Sequence, residues 1–304
     1  MDSDTNNTAT GKLPVTVRGD TLYKITATKG ISFEVFPPKK NSAASTVLEP
    51  LKLLASYNPS FISVTYSAAG SENSAATVNI ASHIQDAHKI PSVAHLTCLN
   101  SDKDNIRAVL AELSEKRIFN ILALRGDRVD GVTPKTDFAH ASDLISFIRA
   151  EYGDRFCVGG ACYPEGHTEN LPAADLANLK RKADSGADFL VSQLFFENGY
   201  FYDFLDRARA ININVPIYAG VMPVTSVSQI QRMVTMCGAS LPRKLSRLFA
   251  KYEGDADGFK KAMLGYSVAQ VAGLIAAGVD GVHLYTMNKP DVAKVITDAV
   301  KGIL

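Results

Sequence analysis

The sequence has no excess of either charge: 32 Lys and Arg stand against 31 Asp and Glu, a net of +1. Nucleic-acid and acidic-membrane partners call for a basic excess, so neither is expected. Cysteine is scarce. Four thiols (Cys98, Cys157, Cys162, Cys237) in 304 residues are too few for a disulfide scaffold and fit a reducing, cytoplasmic setting. Long apolar runs are missing too. The most apolar stretch, VAQVAGLIAAGVDGV (268–282), is broken by Gln270, Asp280 and several glycines. It falls short of the ~18–20 clean apolar residues of a membrane span. The opening MDSDTNNTATGK has no apolar segment, so no signal peptide is read. What the chain does have is an ordinary globular apolar share, 46%, which excludes global disorder. Its length suits one large domain or two small ones and is enough to bury roughly 75% of the unfolded surface.

After a polar leader (1–28), eight β-rich runs recur with helical material between them: ISFEVFPP (31–38), SFISVTYSA (60–68), SVAHLTC (92–98), NILALRGD (120–127), FCVGGACYP (156–164), FLVSQLFF (189–196), PIYAGVMP (216–223) and GVHLYTMN (281–288). Their starts are mostly 28–37 residues apart, the size of one strand–helix unit, and the last gap of 65 leaves room for two or three helices. The segment 101–116 predicts a helix with Ser101 as N-cap and Ile106, Val109, Leu110 and Leu113 on one face. ADSGADFLV (183–191) and AAGVDGVHL (276–284) repeat one pattern, a helix-ending glycine followed by a short link into a strand.

Eight such units in residues 29–304 predict a single α/β domain, a (β/α)8 TIM barrel with extra helices before the last strand. The rival is a doubly wound open sheet. That fold would carry a glycine-rich fingerprint after its first strand, whereas here Pro37-Pro38 follows.

A barrel collects its chemistry at the C-terminal strand ends. Glu34 stands near the end of the first run, Thr65 and Tyr66 end the second, and His95 and Thr97 the third. Arg125 and Asp127 end the fourth, Tyr163 the fifth, and Gln193 lies on the sixth. Each alone also fits a solvated strand end; their accumulation at one mouth points to a site. Two carboxylates are a poor supply for a divalent-metal cage. His95 and Cys98, and Cys157 and Cys162, alternate to opposite faces, so no metal is expected. No lysine ends a strand, against a Schiff-base aldolase, and no serine sits in a nucleophile elbow. Sparse acids, amides, hydroxyls and aromatics suit an organic cofactor that brings its own chemistry. Arg-Gly-Asp occurs twice, at 18–20 and 125–127; the second copy follows a strand, where Gly126 allows close backbone approach to a ligand. On 175–182, Leu176, Leu179 and Ala183 form an apolar stripe. Asp175, Asn178 and Lys182, with Arg181 beside them, form a polar one, readable as a solvated face or as a rim for nucleotide phosphates.

With FEVFPPK, FISVTYSAAG, AHLTC, ALRGD, ACYPEGH, DLANLKRKADSGAD, QLFF, GVMPV and HLYTMN in that order, Ile31 to about Asn288 resembles the methylenetetrahydrofolate reductase family. The resemblance implies reduction of 5,10-methylenetetrahydrofolate to 5-methyltetrahydrofolate in one-carbon and methionine metabolism. It also implies FAD as cofactor, NADH or NADPH as co-substrate, a ping-pong order and a homo-oligomer. By motif it assigns Glu34 as the acid that assists protonation at folate N10, a role that needs Glu34 protonated near neutral pH through burial. It places Asp127 beside the flavin and the pterin. Tyr66, Ala68, His95, Arg125, Gly126, Ala141, Tyr163 and His167 become FAD contacts, and Asp175, Asn178, Arg181 and Lys182 contacts of its adenosine and diphosphate. Gln193 and Gln229 become folate or nicotinamide contacts and Thr65 a nicotinamide contact. Lys289 replaces an arginine expected to grip the substrate's glutamate, Met233 a phenylalanine and His140 a tyrosine, and the loop 128–139 is slightly longer. Because the sequence ends at Leu304, the regulatory domain of eukaryotic members, with its S-adenosylmethionine control, is not expected. Two other readings remain: a folate-binding barrel methyltransferase or demethylase without net redox chemistry, and a non-catalytic binding barrel.

Overall fold

The computed structural model describes residues 25, 29–38, 45–66, 74–128, 131, 133–169 and 172–304. The leader 1–28 therefore lies outside the described residues apart from Ile25, as does Ala68. Eight parallel strands close into a barrel in chain order: β1 (Ile31–Val35), β2 (Ile62–Val64), β3 (Ser92–Thr97), β4 (Asn120–Leu124), β5 (Cys157–Cys162), β6 (Phe189–Ser192), β7 (Ile217–Val221) and β8 (Gly281–Tyr285). Each falls inside one of the eight runs read above. The connecting helices are α1 (Ser45–Ala55), α2 (Ser74–His88), α3 (Lys103–Glu115), α4 (Ala141–Tyr152), α5 (Pro172–Asp184) and α6 (Asn198–Ala210). The long last interval holds α7 (Val227–Cys237), α8 (Arg243–Lys251) and α9 (Ala256–Ala276), and α10 (Pro290–Val300) follows β8. The fold is the expected TIM barrel with extra helices.

Strand alternation sorts the side chains. On β1, Ile31, Phe33 and Val35 join the apolar shell under the helices with Leu51, Leu54 and Ile296, while Ser32 and Glu34 reach histidines inside the barrel. The interior is plugged by Phe61, Val93, Leu122, Cys157, Phe189, Val191 and Tyr218. Cys162 belongs to the outer shell, so the two β5 thiols do face apart.

The cap of α3 is Asp102, not Ser101. The Asp102 carboxylate accepts from Asn105 N at 2.9 Å, placing a negative charge at the positive end of the helix. Ser101 instead donates its hydroxyl to Thr97 O.

The repeated glycine–link–strand pattern has a structural cause. Gly186 and Gly278 both take a left-handed conformation (φ +101° and +73°). Two residues later, Asp188 and Asp280 each accept from an amide at the start of a preceding strand: Val158 N, the second of β5, at 2.7 Å and Ile217 N, the first of β7, at 2.8 Å. Each carboxylate also pairs with an arginine of an earlier helix, Arg149 at 2.5 Å and Arg209 at 2.9 Å. The same clamp is used twice, on β5–β6 and on β7–β8.

Candidate functional site

Glu34 lies at the floor of the mouth and is 7% exposed. Its Oε2 stands 3.5 Å from His95 Nε2 and 3.9 Å from His283 Nε2. Burial, opposed by the Glu34 charge, lowers His95 to about 4, so its ring is neutral at physiological pH. His95 Nε2 is buried without a hydrogen-bond partner. His283 is fully buried and stacks on Phe61 with centroids 5.4 Å apart. Ser32 Oγ is 2.8 Å from its Nδ1 and Ser63 Oγ is 3.3 Å from its Nε2. The backbone at Glu34 is held independently of its carboxyl: Thr286 donates to Glu34 O at 2.6 Å, and Asn288 bonds Phe36 both ways, at 2.8 and 2.9 Å.

Tyr285 crosses the mouth from β8 to β6, donating its hydroxyl to Ser192 O at 2.6 Å. Burial holds its phenol well above the usual range. The crossing passes over Gly220, where a Cβ would lie 2.1 Å from Ser192 O and 2.9 Å from the Tyr285 hydroxyl. Gln193 follows directly, one residue past the end of β6, with its Oε1 accepting from Leu194 N at 2.8 Å.

The rim on the β3–β4–β5 side is polar. Arg125 makes a two-pronged contact with Glu169, at 2.7 and 3.2 Å. This hydrogen bonding raises Arg125 further and lowers Glu169. Gly126 is left-handed (φ +85°), and a Cβ there would press on Thr97 at 2.9 Å. Asp127 is exposed, three residues past the last residue of β4. Burial pushes Tyr163 up to about 12, with the Asp175 carboxylate adding to the effect. His167 packs its edge on that ring at 4.7 Å. Ala141 opens α4 and is buried. Thr65 and Tyr66 lie just beyond β2, half-buried.

On α5 the apolar stripe packs as read, but the polar stripe is partly buried. Leu179 is buried and Leu176 and Ala183 pack beside it. Asp175 is buried, Asn178 half-buried and Arg181 exposed. Lys182 does not project into solvent. Its stem covers Gly160, its ammonium donates to Ala161 O, and burial lowers it from the usual lysine range.

Across the mouth, α7, α8 and α9 form a second apolar cluster that includes Met233, Leu245, Phe259 and Met263. Gln229 is engaged at the start of α7, where its Oε1 accepts from Thr225 N at 3.1 Å. Lys289 Nζ is 3.3 Å from Thr225 Oγ1, so Gln229 and Lys289 meet through one residue. The sequence reading missed Ser32, Ser63, His283 and Tyr285, and also Glu169. Each of the first four is a polar residue within an apolar strand run, the same signal that marked Glu34. Among the described residues, no group of three His, Cys, Asp or Glu side chains is placed to hold a metal ion, and no helix is long and apolar enough to cross a membrane.

Residues 21–301 match the family model for methylenetetrahydrofolate reductase. The chain is 33% identical over 276 residues to the 5,10-methylenetetrahydrofolate reductase of Escherichia coli (strain K12), covering 90% of this chain and 92% of that protein. It is 34% identical over 288 residues to methylenetetrahydrofolate reductase (NADH) 1 of Arabidopsis thaliana, covering 90% of this chain and 47% of that one. The chain thus spans about half the length of the plant relative it matches. Among solved structures, a Clostridium thermocellum protein described as binding two copies of 5-methyl-5,6,7,8-tetrahydrofolic acid superposes with a TM-score of 0.60 at 16% identity, over 91% of this chain and 96% of that one. At that identity the likeness speaks for the fold alone.

Proposed function

Since this chain belongs to the methylenetetrahydrofolate reductase family, we propose that it reduces 5,10-methylenetetrahydrofolate to 5-methyltetrahydrofolate at the barrel mouth. FAD is the cofactor and NADH or NADPH the reductant, the two substrates using one surface in turn. The observation that carries this reading is Glu34, a buried carboxyl between two imidazoles at the floor of a polar mouth.

The rim fits FAD. Along one arc lie a buried imidazole nitrogen without a partner on His95, a left-handed glycine at Gly126, a guanidinium pre-aimed by Glu169 and the buried Asp175 beside Lys182. These neutral and charged donors and acceptors suit a dinucleotide with sugar hydroxyls and phosphates. Bound there, the flavin supplies hydride storage between nicotinamide and folate. Tyr163 and His167 wall its site, and Asp127 borders the position of the pterin. Gln193, Gln229 and Lys289 orient the second substrate. Glu34 delivers a proton to folate N10, opening the bridge to the reactive iminium.

Purified protein is expected to be yellow or to take up added FAD. Its colour should bleach anaerobically with NADH or NADPH and return on adding 5,10-methylenetetrahydrofolate, with 5-methyltetrahydrofolate as product. Folded protein that takes up no FAD would refute the flavin reading. Bleaching that folate cannot reverse would refute the folate reading. Glu34→Gln should leave bleaching by the nicotinamide nearly unchanged while slowing the folate-driven return roughly 10²-fold or more. Equal losses in both would make Glu34 a structural residue.

A further inference from the structure

The helix that carries Gln229 is lightly seated. Of the eleven residues of α7, Ile230 and Met233 alone are buried, against five of the twelve in α4. A helix with so little apolar contact depends on what fastens its ends. At the start of α7, Gln229 N donates to the capping Ser226 Oγ at 3.3 Å, and the Gln229 side chain turns back to Thr225. At its end Gly238 is left-handed (φ +67°) and donates to Val234 O at 3.0 Å. Two residues on, Ser240 N donates to Glu165 Oε2 at 2.9 Å.

Glu165 belongs to the loop between β5 and α5, which also carries Tyr163, His167 and Glu169. Thr168 of that loop meets the same link, since a Cβ at Gly238 would stand 2.7 Å from Thr168 Cγ2. β5 and β7 are the two neighbours of β6 in the barrel, so the tie reaches from one side of β6 to the other. Through Glu169 the loop also grips Arg125 on the rim. Contacts therefore run from Arg125 and Glu169, through Glu165 and Ser240, to the helix of Gln229. The second Glu165 oxygen, Oε1, is buried without a hydrogen-bond partner, so the carboxyl holds the link with one oxygen.

We propose that Glu165 is a positioning residue: it ties α7 to the flavin-side loop and so sets the wall on which nicotinamide and folate bind in turn. This rests on the shared surface of the proposed function. The loop keeps its own holds, Glu169 on Arg125 and Arg207 on Pro164 O. Cutting the tie therefore frees α7 and leaves the flavin wall in place. Because both substrates use the wall that α7 completes, both should lose affinity together.

The tie is read in the full chain without any cofactor. Residue-resolved amide exchange should show Ser240 N–H protected in the wild type and in Glu165→Gln, which keeps an acceptor oxygen. In Glu165→Ala it should exchange roughly 10-fold faster or more. On the FAD-loaded protein, Glu165→Ala should raise KM for the reduced nicotinamide and for 5,10-methylenetetrahydrofolate by roughly 3- to 10-fold each, the scale of one hydrogen bond. kcat should stay within about twofold, because ground state and transition state lose the same contact. FAD retention should be unchanged, and Glu165→Gln should restore both KM values. A Ser240 amide that exchanges freely in the wild type would overturn the proposal. So would unchanged KM values in Glu165→Ala, or a rise for one substrate alone. Loss of FAD and of kcat along with KM would mark a general structural defect and overturn it equally. If wild-type flavin is neither bleached by nicotinamide nor reoxidised by folate, the assigned reaction fails and this role with it, while amide exchange still decides whether the tie exists.

Discussion

Replacing Gly220 by alanine tests whether Tyr285 is locked across the mouth. The added Cβ would stand 2.1 Å from Ser192 O and 2.8 and 2.9 Å from Tyr285 Cε2 and its hydroxyl oxygen. The Ser192 carbonyl is strand backbone, and its residue is tied to Gly220 N through Oγ at 2.8 Å. Moving the tyrosine cannot relieve the contact with Ser192 O, so β6 and β7 have to part locally, and the 2.6 Å hydrogen bond from Tyr285 to Ser192 O goes with the shift. Overpacking costs about 1–3 kcal/mol, and a buried carbonyl stripped of its donor about another 1–3 kcal/mol. The expected loss is about 2–5 kcal/mol, a large part of the ~5–15 kcal/mol that holds a domain folded. Urea unfolding followed by circular dichroism measures it, with an unchanged slope showing that the unfolded state is unaltered. Tyr285→Phe alone removes only the hydroxyl and should cost about 1–2 kcal/mol. The double variant should cost less than the sum, because both changes break one contact. A Gly220→Ala protein within about 0.5 kcal/mol of wild type would refute the locked crossing.

Stability should depend on pH through His95. Its folded value of about 4 lies below the ordinary 6.5, so the unfolded chain binds this proton more readily. The contribution is complete above pH 6.5 and is lost as pH falls towards 4. The stability difference between wild type and His95→Gln should therefore shrink by about 3 kcal/mol between pH 7 and pH 4; a flat difference would contradict it. Arg181→Ala should weaken FAD retention by about 1.5–3 kcal/mol for a lost charged contact without lowering the melting temperature. Lys182→Ala should lower both, because it also strips the donor from Ala161 O. Asp280→Ala should destabilise by about 1–3 kcal/mol and Asp280→Asn by less, since the amide oxygen still accepts from Ile217 N; thermal unfolding compares them.

The eight strands were legible because parallel strands covered on both faces read as continuous apolar runs. Their ends were not. SFISVTYSA contains a β2 of three residues, and Thr65 and Tyr66 beyond it are only half-buried. Glu34 and His95 stood out as polar residues in such runs, and His283 carried the same signal, but its contact with Ser32 forms only across the closed barrel. Glu169 was invisible because a loop residue acquires significance only from the arginine it meets. Lys182 was read on the correct stripe of α5, yet the strand beneath it, not helix periodicity, decides that its ammonium turns inward. The Asp102 cap shows the usual uncertainty of one residue at a helix start.

The contacts that hold the Glu34 floor, Ser32 to His283, Thr286 to Glu34 and Asn288 to Phe36, all span about 250 positions of the chain. During synthesis at ~5–20 residues per second, the first strand waits about 12–50 s before its last neighbour exists. Until then Glu34 lacks its β8 neighbour His283, although His95 of β3 is already made. On the proposed function, competence for the folate step is therefore the last property to be acquired. On refolding from denaturant, recovered turnover should lag behind recovered helical signal by the time the final seam takes to zip.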